Sequence, residues 1–210
     1  MALKLDNVTI FKADRRLLSV NTTVNNGDIL SIMGPSGSGK STLLNAISGH
    51  LSPPFIMTGH VEVNGCSMTT MPAHQRGVGV MFQDALLFDH MTVGQNIMFA
   101  MPQTMKAKEK EKAVIDMLSA VGLDGLEKRA PNELSGGQQS RVSLLRTLAA
   151  QPNVVLLDEP FSQLDSHLRE QIRTWTFEQL KQRQIPSVLV THDMDDAIAA
   201  GGEIMELSSC

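Results

Sequence analysis

A short run of small residues that ends in a lysine and two hydroxyl residues is the feature of this sequence most able to do chemistry. Residues 34–42 read Gly-Pro-Ser-Gly-Ser-Gly-Lys-Ser-Thr and fit the pattern G-x-x-x-x-G-K-[ST] at every constrained position. Glycines let a backbone curl so that successive N–H groups bind one anion. Residues 29–33 predict a strand before the loop and residues 42–48 a helix after it, the context that phosphate binding needs. A glycine- and serine-rich turn is the alternative.

The loop is expected to bind phosphate through both backbone and side chains. A helix that begins at Lys40 places the positive end of its dipole, about half an elementary charge, against the anion. The Lys40 ammonium can reach the outer phosphates, and the Ser41 hydroxyl can hold Mg²⁺. The expected phosphate-binding residues are Gly34, Ser36, Gly37, Ser38, Gly39, Lys40, Ser41 and Thr42.

An acidic pair follows a second apolar run. Residues 153–157 predict a strand covered on both faces, and Asp158 and Glu159 come directly after its apolar residues. The pair therefore falls at the sheet edge where the phosphate loop also lies. Asp158 can hold the water shell of Mg²⁺, and Glu159 can take a proton from an attacking water. The alternative is a polar strand end before the turn-forming Pro160; the phosphate loop favours the functional interpretation.

The segment Leu134–Gln138, Leu-Ser-Gly-Gly-Gln, precedes a helix that is predicted to run to about Ala150. Ser135 is a good residue for the N-cap. Gly136 and Gly137 leave backbone N–H groups uncovered, so this helix start is a second possible phosphate site. An ordinary helix cap is the alternative interpretation of the same residues.

The elements around these positions predict an α/β fold. Alternating or apolar residues predict several strands in the first third of the chain, some of them antiparallel: 3–10, 18–24, 28–33, 60–63 and 77–82. The pair Asn64-Gly65 predicts a hairpin turn.

The rest of the chain alternates helices with strands. Residues 92–150 have a helical pattern, with one apolar face in Val114, Met117, Leu118 and Val121 and helix-stopping glycines at 122 and 125. A helix over 166–182, a strand over 187–190, a short helix and a last strand over 204–207 follow. This order predicts a parallel sheet that binds ligands at the carboxyl ends of its strands. His192 follows the strand 187–190 and falls at that edge, although a surface histidine is the alternative.

The bulk composition excludes several classes of protein. A net charge of −4 with dispersed basic residues argues against a general nucleic-acid or anionic-lipid surface. No apolar stretch approaches the roughly 18 residues of a membrane-spanning helix. Charges near the N-terminus stand where a signal peptide would be apolar, so a cytosolic protein is expected. Cys66 and Cys210 form no disulfide or metal pattern.

The order of these motifs resembles the ATP-binding subunits of ABC transporters over nearly the whole chain. The ordered set is the phosphate loop, Gln83 in Met-Phe-Gln-Asp, the segment Leu134–Gln138, Asp158-Glu159, Asp165 in Ser-Gln-Leu-Asp, and His192. Residues 86–96 look like those of importer-type subunits. The resemblance is closest to short bacterial importer ATPases of the thiamine, sulfate and polyamine kind.

The resemblance implies a fold and a division of the chain. It implies an α/β P-loop NTPase (RecA-like) with a parallel-sheet core, an antiparallel β subdomain and an inserted helical subdomain. Residues 1–210 would form a single ATPase domain. Within it, residues 1–86 and 151–210 would be the nucleotide-binding core with the β subdomain, and residues 87–150 the helical subdomain.

The resemblance also implies roles for residues whose chemistry the sequence leaves open. Gln83 would contact the metal or the attacking water and sense a membrane partner, and His192 would bind the γ-phosphate and hold the water and Glu159 in place. Asp165 would lie at a dimer seam. The residues implied to contact ATP held by the other subunit are Ser135, Gly136, Gly137 and Gln138. From the residues alone, contact within one chain stays open.

The implied function is that of a subunit that binds ATP and Mg²⁺, hydrolyses ATP and powers transport, with import favoured. Two copies would close on ATP as a homodimer and drive separate membrane-spanning permease subunits, with a solute-binding protein as an indirect partner and no nucleic acid. The subunit would be cytoplasmic and peripheral on the inner face of the cell membrane. The solute is not encoded in this chain.

Two other classes of function fit the sequence less well. A soluble ABC-type ATPase that acts on nucleic acid or ribosomes would carry long coiled-coil arms or two ATPase units, and neither is present here. A GTPase would show an Asn-Lys-x-Asp segment, which is absent, and a small-molecule kinase has no need for Ser-Gly-Gly-Gln.

The sequence departs from the family where an aromatic residue usually stacks on adenine. An ungapped match puts Lys12 at that position, with Phe11 next to it, and the chain has no tyrosine. Either Phe11 moves in through a local slip and binds the base, or stacking is weak and ATP affinity falls about tenfold. Residues 139–141, Gln-Ser-Arg, also depart from the commoner Arg-Gln-Arg but leave the glycines intact.

Overall fold

The computed structural model describes residues 2–207, and within them the strands form two sheets. The first has four strands in the order β2-β1-β4-β5, and the second has five in the order β6-β7-β8-β3-β9. The strands are β1 (Ala2–Lys12), β2 (Arg15–Asn25), β3 (Ile29–Met33), β4 (Phe55–Val63), β5 (Cys66–Ser67), β6 (Val78–Met81), β7 (Val154–Asp158), β8 (Ser187–Val190) and β9 (Ile204–Glu206). The helices are α1 (Lys40–Ser48), α2 (Val93–Ala100), α3 (Ala107–Ala120), α4 (Gly136–Ala149), α5 (Ser166–Gln182) and α6 (Met194–Ala200).

The four-stranded sheet is antiparallel, and its last hairpin is the predicted one. Val63 pairs with Cys66 across Asn64 and Gly65, which have φ of 55° and 77°. Both residues have the left-handed backbone conformation that a two-residue hairpin turn requires. The predicted strand 60–63 is longer in the structure because residues 55–58 also pair with β1, beyond an irregularity in the register.

The five-stranded sheet contains the predicted parallel strands. β7 pairs with β8, β8 with β3, and β3 with β9, all in parallel. Every residue of β3 and β8 is buried, which explains their continuous apolar sequences. α1 packs on β7 and β8, and α6 packs on β3. One continuous core cluster joins residues of both sheets with Leu43, Leu44 and Ile47 of α1.

The helical stretch of the sequence forms three α-helices and a 3₁₀ turn at Pro131–Glu133. The predicted apolar face of α3 is buried at Val114 and Leu118, and Val121 is buried at the helix end. Gly122 follows with φ of 66°, so the predicted stop is confirmed. No helix within residues 2–207 has the length and apolar character needed to cross a bilayer.

The described chain separates into two compact units. The first contains the residues up to 80 with 153–159 and those from 174 onward; the second contains 81–152 and 160–173. The second unit thus includes a segment that the sequence analysis assigned to the core. The functional division of the chain at 86 and 151 stays a prediction.

Candidate functional site

The loop before α1 has a backbone that only glycines adopt easily. Gly34, Gly37 and Gly39 have φ of 147°, 82° and 95°. A Cβ at Gly34 would lie 2.6 Å from the carbonyl oxygen of Leu207, and one at Gly39 would lie 2.7 Å from a methyl carbon of Leu18. The conformation of the loop therefore depends on these glycines.

The loop gathers groups that bind anions. The Lys40 ammonium donates to the carbonyl oxygens of Gly34 at 2.7 Å and Pro35 at 2.9 Å. Within residues 2–207, the buried Ser38 Oγ has no hydrogen-bond partner, and no side chain caps the start of α1. An ammonium, an unused hydroxyl and an uncapped helix start fit a triphosphate.

Asp158 lies at the end of β7, next to Ser41 and Lys40. Burial raises the pKa of the Asp158 carboxyl, and the Glu159 charge adds to this rise. A hydrogen bond with Ser41 and the charge of Lys40 act in the opposite direction. The structure thus brings together the loop and the acidic residue at the expected sheet edge. A carboxylate beside a hydroxyl is an oxygen set that Mg²⁺ accepts.

Glu159 points to a different partner from its neighbour. Its carboxylate oxygen Oε1 lies 3.2 Å from Nδ1 of His192. The Glu159 backbone has φ of 47°, and its N–H donates to the carbonyl oxygen of Val190 at 2.9 Å. Such a backbone is uncommon outside glycine and occurs at functional sites, where the surrounding structure holds it. Asp158 and Glu159 therefore contact different polar side chains, Ser41 and His192 respectively.

The turn that carries His192 is held by residues that the sequence analysis did not identify. Thr191 Oγ1 accepts a hydrogen bond from the Asp193 N–H at 3.0 Å and donates to the buried Asp196 carboxylate at 3.4 Å. Asp193 Oδ1 accepts from the N–H of Asp195 at 2.8 Å and so caps α6. A Thr-x-Asp sequence before a short helix is the signal that could have identified this cap.

In the second unit, Ser135 caps α4 as the sequence predicts. Its Oγ accepts from the N–H of Gln138 at 3.3 Å, and Gln138 Oε1 accepts from the N–H of Ser135 at 2.9 Å. A Cβ at Gly137 would lie 3.1 Å from the carbonyl oxygen of Gln163. The close approach of this chain segment explains why a glycine follows the cap.

Gln83 and Asp165 also belong to the second unit. Gln83 is exposed, and its backbone carbonyl oxygen accepts a hydrogen bond from Nε2 of Gln163 at 3.5 Å. Asp165 Oδ1 accepts from the N–H of Leu168 at 3.0 Å, so this residue also stabilises the start of α5. The loop, Asp158, Glu159, His192 and Phe11 all lie in the first unit.

The cleft beside the loop is lined by Lys12 rather than by Phe11. It has a volume of about 270 Å³, and its described lining residues are Lys12, Arg15, Arg16, Leu17, Ser36, Gly37 and Ser38. Phe11 is not among these described lining residues. The cleft therefore presents Lys12 beside the loop, and contact of Phe11 with adenine stays a prediction.

A parallel sheet with a phosphate loop before α1 and an acidic residue at the end of β7 defines a P-loop NTPase. The model of the ABC transporter family matches residues 17–162. The chain therefore belongs to the ABC transporter family. Within this family it is an ATP-binding, ATP-hydrolysing subunit, as the sequence predicts.

Several relatives share this family. The chain is 45% identical over 207 residues to the uncharacterized ABC transporter ATP-binding protein YnjD of Escherichia coli K12, covering 98% of this chain and 95% of that protein. It is 41% identical over 212 residues to the sulfate/thiosulfate import ATP-binding protein CysA of Synechocystis, covering all of this chain but 59% of that protein.

Solved structures support the fold. A dimeric post-hydrolysis state of the ATP-binding cassette MJ0796, bound to ADP and Pi, has a TM-score of 0.84 and 32% identity, covering 99% of this chain and 96% of that one. A second dimeric structure of MJ0796, described as a bacterial ABC transporter cassette, has a TM-score of 0.84 and 33% identity, covering 98% and 94%. The predicted α/β P-loop NTPase fold is confirmed.

Proposed function

We propose that this subunit binds MgATP and hydrolyses it to power the import of a solute through a separate membrane permease. The observation that supports this most strongly is the grouping at one sheet edge of Lys40, Ser41 and Asp158, with the pair Glu159–His192 at the ends of the adjoining strands. Import is supported by the relatives named as sulfate/thiosulfate import proteins.

The two acidic residues divide the chemistry. Ser41 and Asp158 would hold Mg²⁺, which when bound neutralises charge on the phosphates. Lys40 stabilises charge on the outer phosphates. Glu159 accepts a proton from the attacking water as general base.

His192 keeps the Glu159 carboxylate in position through its Nδ1 and binds the γ-phosphate. The 3.2 Å separation between Nδ1 and Oε1 supports the first of these roles. The left-handed backbone of Glu159 supports a fixed direction for its carboxylate.

The helix start at Ser135 is proposed to act on the ATP of a second copy. Ser135, Gly136, Gly137 and Gln138 would bind its γ-phosphate, with Asp165 at the seam of the homodimer. The uncovered N–H groups of the two glycines support this role, since they form an anion site. The dimeric state in the titles of the related structures supports the homodimer.

An exposed apolar patch in the second unit supports a membrane partner. Phe99 is 64% exposed and Leu86 58% exposed. Phe88 packs edge-to-face on Phe99 with ring centroids 5.1 Å apart, and the Arg146 guanidinium lies 5.5 Å from the Phe88 ring. Grouped exposed apolar side chains mark interaction surfaces. Through the permease the subunit would lie on the inner face of the membrane, and a solute-binding protein would be an indirect partner.

The binding half of the proposal is tested by thermal shift. MgATP is expected to raise the melting temperature of the wild type and of a Lys4→Ala control, which loses an exposed lysine outside the site. Lys40→Ala should lose this shift. Stabilisation of the wild type by GTP and not by ATP would contradict the proposal.

The transport half is tested by fractionation of cells that contain the native permease genes. The wild type should sediment with membranes, whereas Phe99→Ser should be released with its basal ATPase unchanged. Ile198→Ser is the matched control, since Ile198 is 63% exposed in the first unit. Recovery of the wild type with RNA or ribosomes instead of membranes would favour the soluble class of ABC ATPase.

A further inference from the structure

Three cations surround the cleft that opens beside the phosphate loop. Lys12, Arg15 and Arg16 line it, and among residues 2–207 none of them forms an ion pair. Asp14, in the turn between β1 and β2, is exposed but does not line the cleft. The sequence as a whole carries a net charge of −4. The cleft is therefore a positively charged site on a protein with a negative net charge.

The cleft and the loop are one continuous surface. Residues 36–38 belong to the phosphate loop and also line the cleft. When the phosphates of a nucleotide lie in the loop, its base and ribose must lie next to the loop. This cleft of about 270 Å³ adjoins the loop and has room for them. The remaining lining residue, Leu17, offers an apolar contact, and no aromatic ring is among the described lining residues.

Cations can replace an aromatic ring at this position. Nucleobases stack on the planar guanidinium of arginine as well as on aromatic rings. Cations are attracted to the face of a π-system, and they add a field that attracts the phosphates. Lys12 already lies 5.9 Å from the centroid of the Phe55 ring, so its ammonium accepts an aromatic face as a neighbour.

We propose that Lys12, Arg15 and Arg16 hold the base-and-ribose end of the nucleotide through cation–π contact and charge. This inference rests on the proposed binding of ATP by residues 34–42. It makes the affinity for MgATP dependent on ionic strength, because exposed charges are screened by salt over about 10 Å at 0.1 M and about 3 Å at 1 M.

The first test is calorimetry with MgATP on the double variant Lys12→Gln, Arg16→Gln. The Kd should rise about fivefold at low salt, the effect of losing two exposed charge contacts, and the difference from wild type should fall below about twofold near 1 M salt. The control is Lys108→Gln, Lys112→Gln on α3, where both lysines are exposed and the change in net charge is the same. The control should match the wild type.

The second test locates the base. The substitution Lys12→Trp is made in a Trp175→Phe background, because Trp175 is the one native tryptophan. MgATP should quench the fluorescence of the introduced tryptophan, whereas inorganic tripolyphosphate should bind the loop without quenching. An aromatic platform at this position should also tighten MgATP binding about fivefold and weaken its dependence on salt.

The outcomes separate the two proposals. A wild type that fails to bind MgATP overturns the proposed function and this inference together. A wild type that binds MgATP through Lys40, with a double variant equal to its control and no quenching by MgATP, overturns the cationic base site alone. Quenching of equal size by MgATP and tripolyphosphate also overturns it, since the base would then not be the group in contact.

Discussion

The two compact units hold their functional segments in different ways. In the first unit, Asp158 is the last residue of a buried strand, and the sheet determines where its backbone lies. In the second unit, the loops are fixed by polar side chains that donate to backbone carbonyls. The Asn96 amide nitrogen donates to the carbonyl oxygens of Phe88, Met91 and Thr92 at 3.2, 3.3 and 3.0 Å.

Arginines repeat this arrangement in the second unit. The Arg141 guanidinium donates to the carbonyl oxygen of Val121 at 2.6 Å, and burial lowers the pKa of Arg141. Arg146 donates to the carbonyl oxygens of Ala85 and Leu86. Asp158 is thus placed by the strand that it ends, whereas the loops around Phe88 and Val121 depend on side chains that donate to their backbone carbonyls.

The largest expected effect tests the strand-end site. Glu159→Gln should lower ATP turnover about 100-fold or more because it removes the general base, while MgATP binding stays close to that of the wild type. Turnover is measured by phosphate release and binding by calorimetry. Glu111→Gln on α3 is the control. Normal turnover in Glu159→Gln would show that another group takes the proton.

The next effect tests the loop-holding side chains. Asn96→Ala should lower the free energy of unfolding by about 2 kcal/mol, because several partly buried backbone groups lose their partner at once. Urea denaturation measures the loss. Gln103→Ala, at an exposed amide, should change stability by less than about 0.5 kcal/mol. Equal losses in the two variants would show that the loop around Phe88 does not depend on the Asn96 amide.

A buried arginine should contribute more to the free energy of unfolding than an exposed arginine. Arg141→Met should cost about 2 kcal/mol of unfolding free energy, since it leaves buried carbonyl groups without a donor. Arg129 forms a 3.0 Å ion pair with Glu133 on the surface. Arg129→Ala should therefore cost about 0.5 kcal/mol or less. A larger loss for Arg129 than for Arg141 in the same urea titration would contradict this assignment.

The smallest effect concerns pH and the strand end. Because burial raises the pKa of Asp158, the folded chain binds this proton more tightly than the unfolded chain does. The ionised carboxylate therefore destabilises the fold once the pH exceeds the unfolded pKa of about 3.9. Asp158→Asn should raise the melting temperature without nucleotide by about 1–3 °C at pH 7.5. This gain should vanish near pH 4, and a gain that persists there would have another cause.

Much of the first unit could be predicted because its signals are local. The strand 187–190 has the predicted bounds, and Asn64-Gly65 forms the predicted turn. The role of Asn96 could not be predicted, because its partners near Phe88 come close only once the chain has folded back. The sequence also could not predict whether Phe11 or Lys12 lines the cleft. The two residues are adjacent in β1, and the pairing of β1 with β2 has register shifts that sequence patterns do not reveal.

The two hydrogen bonds from the Lys40 ammonium to the carbonyl oxygens of Gly34 and Pro35 hold the phosphate loop in shape before a nucleotide binds. The chain itself already organises the loop, so binding exchanges two carbonyl partners for phosphate oxygens instead of ordering a flexible segment. Little conformational entropy is then lost on association. An arginine at this position would be a poor substitute, because its wide planar fork cannot act as the compact point charge that two neighbouring carbonyls enclose.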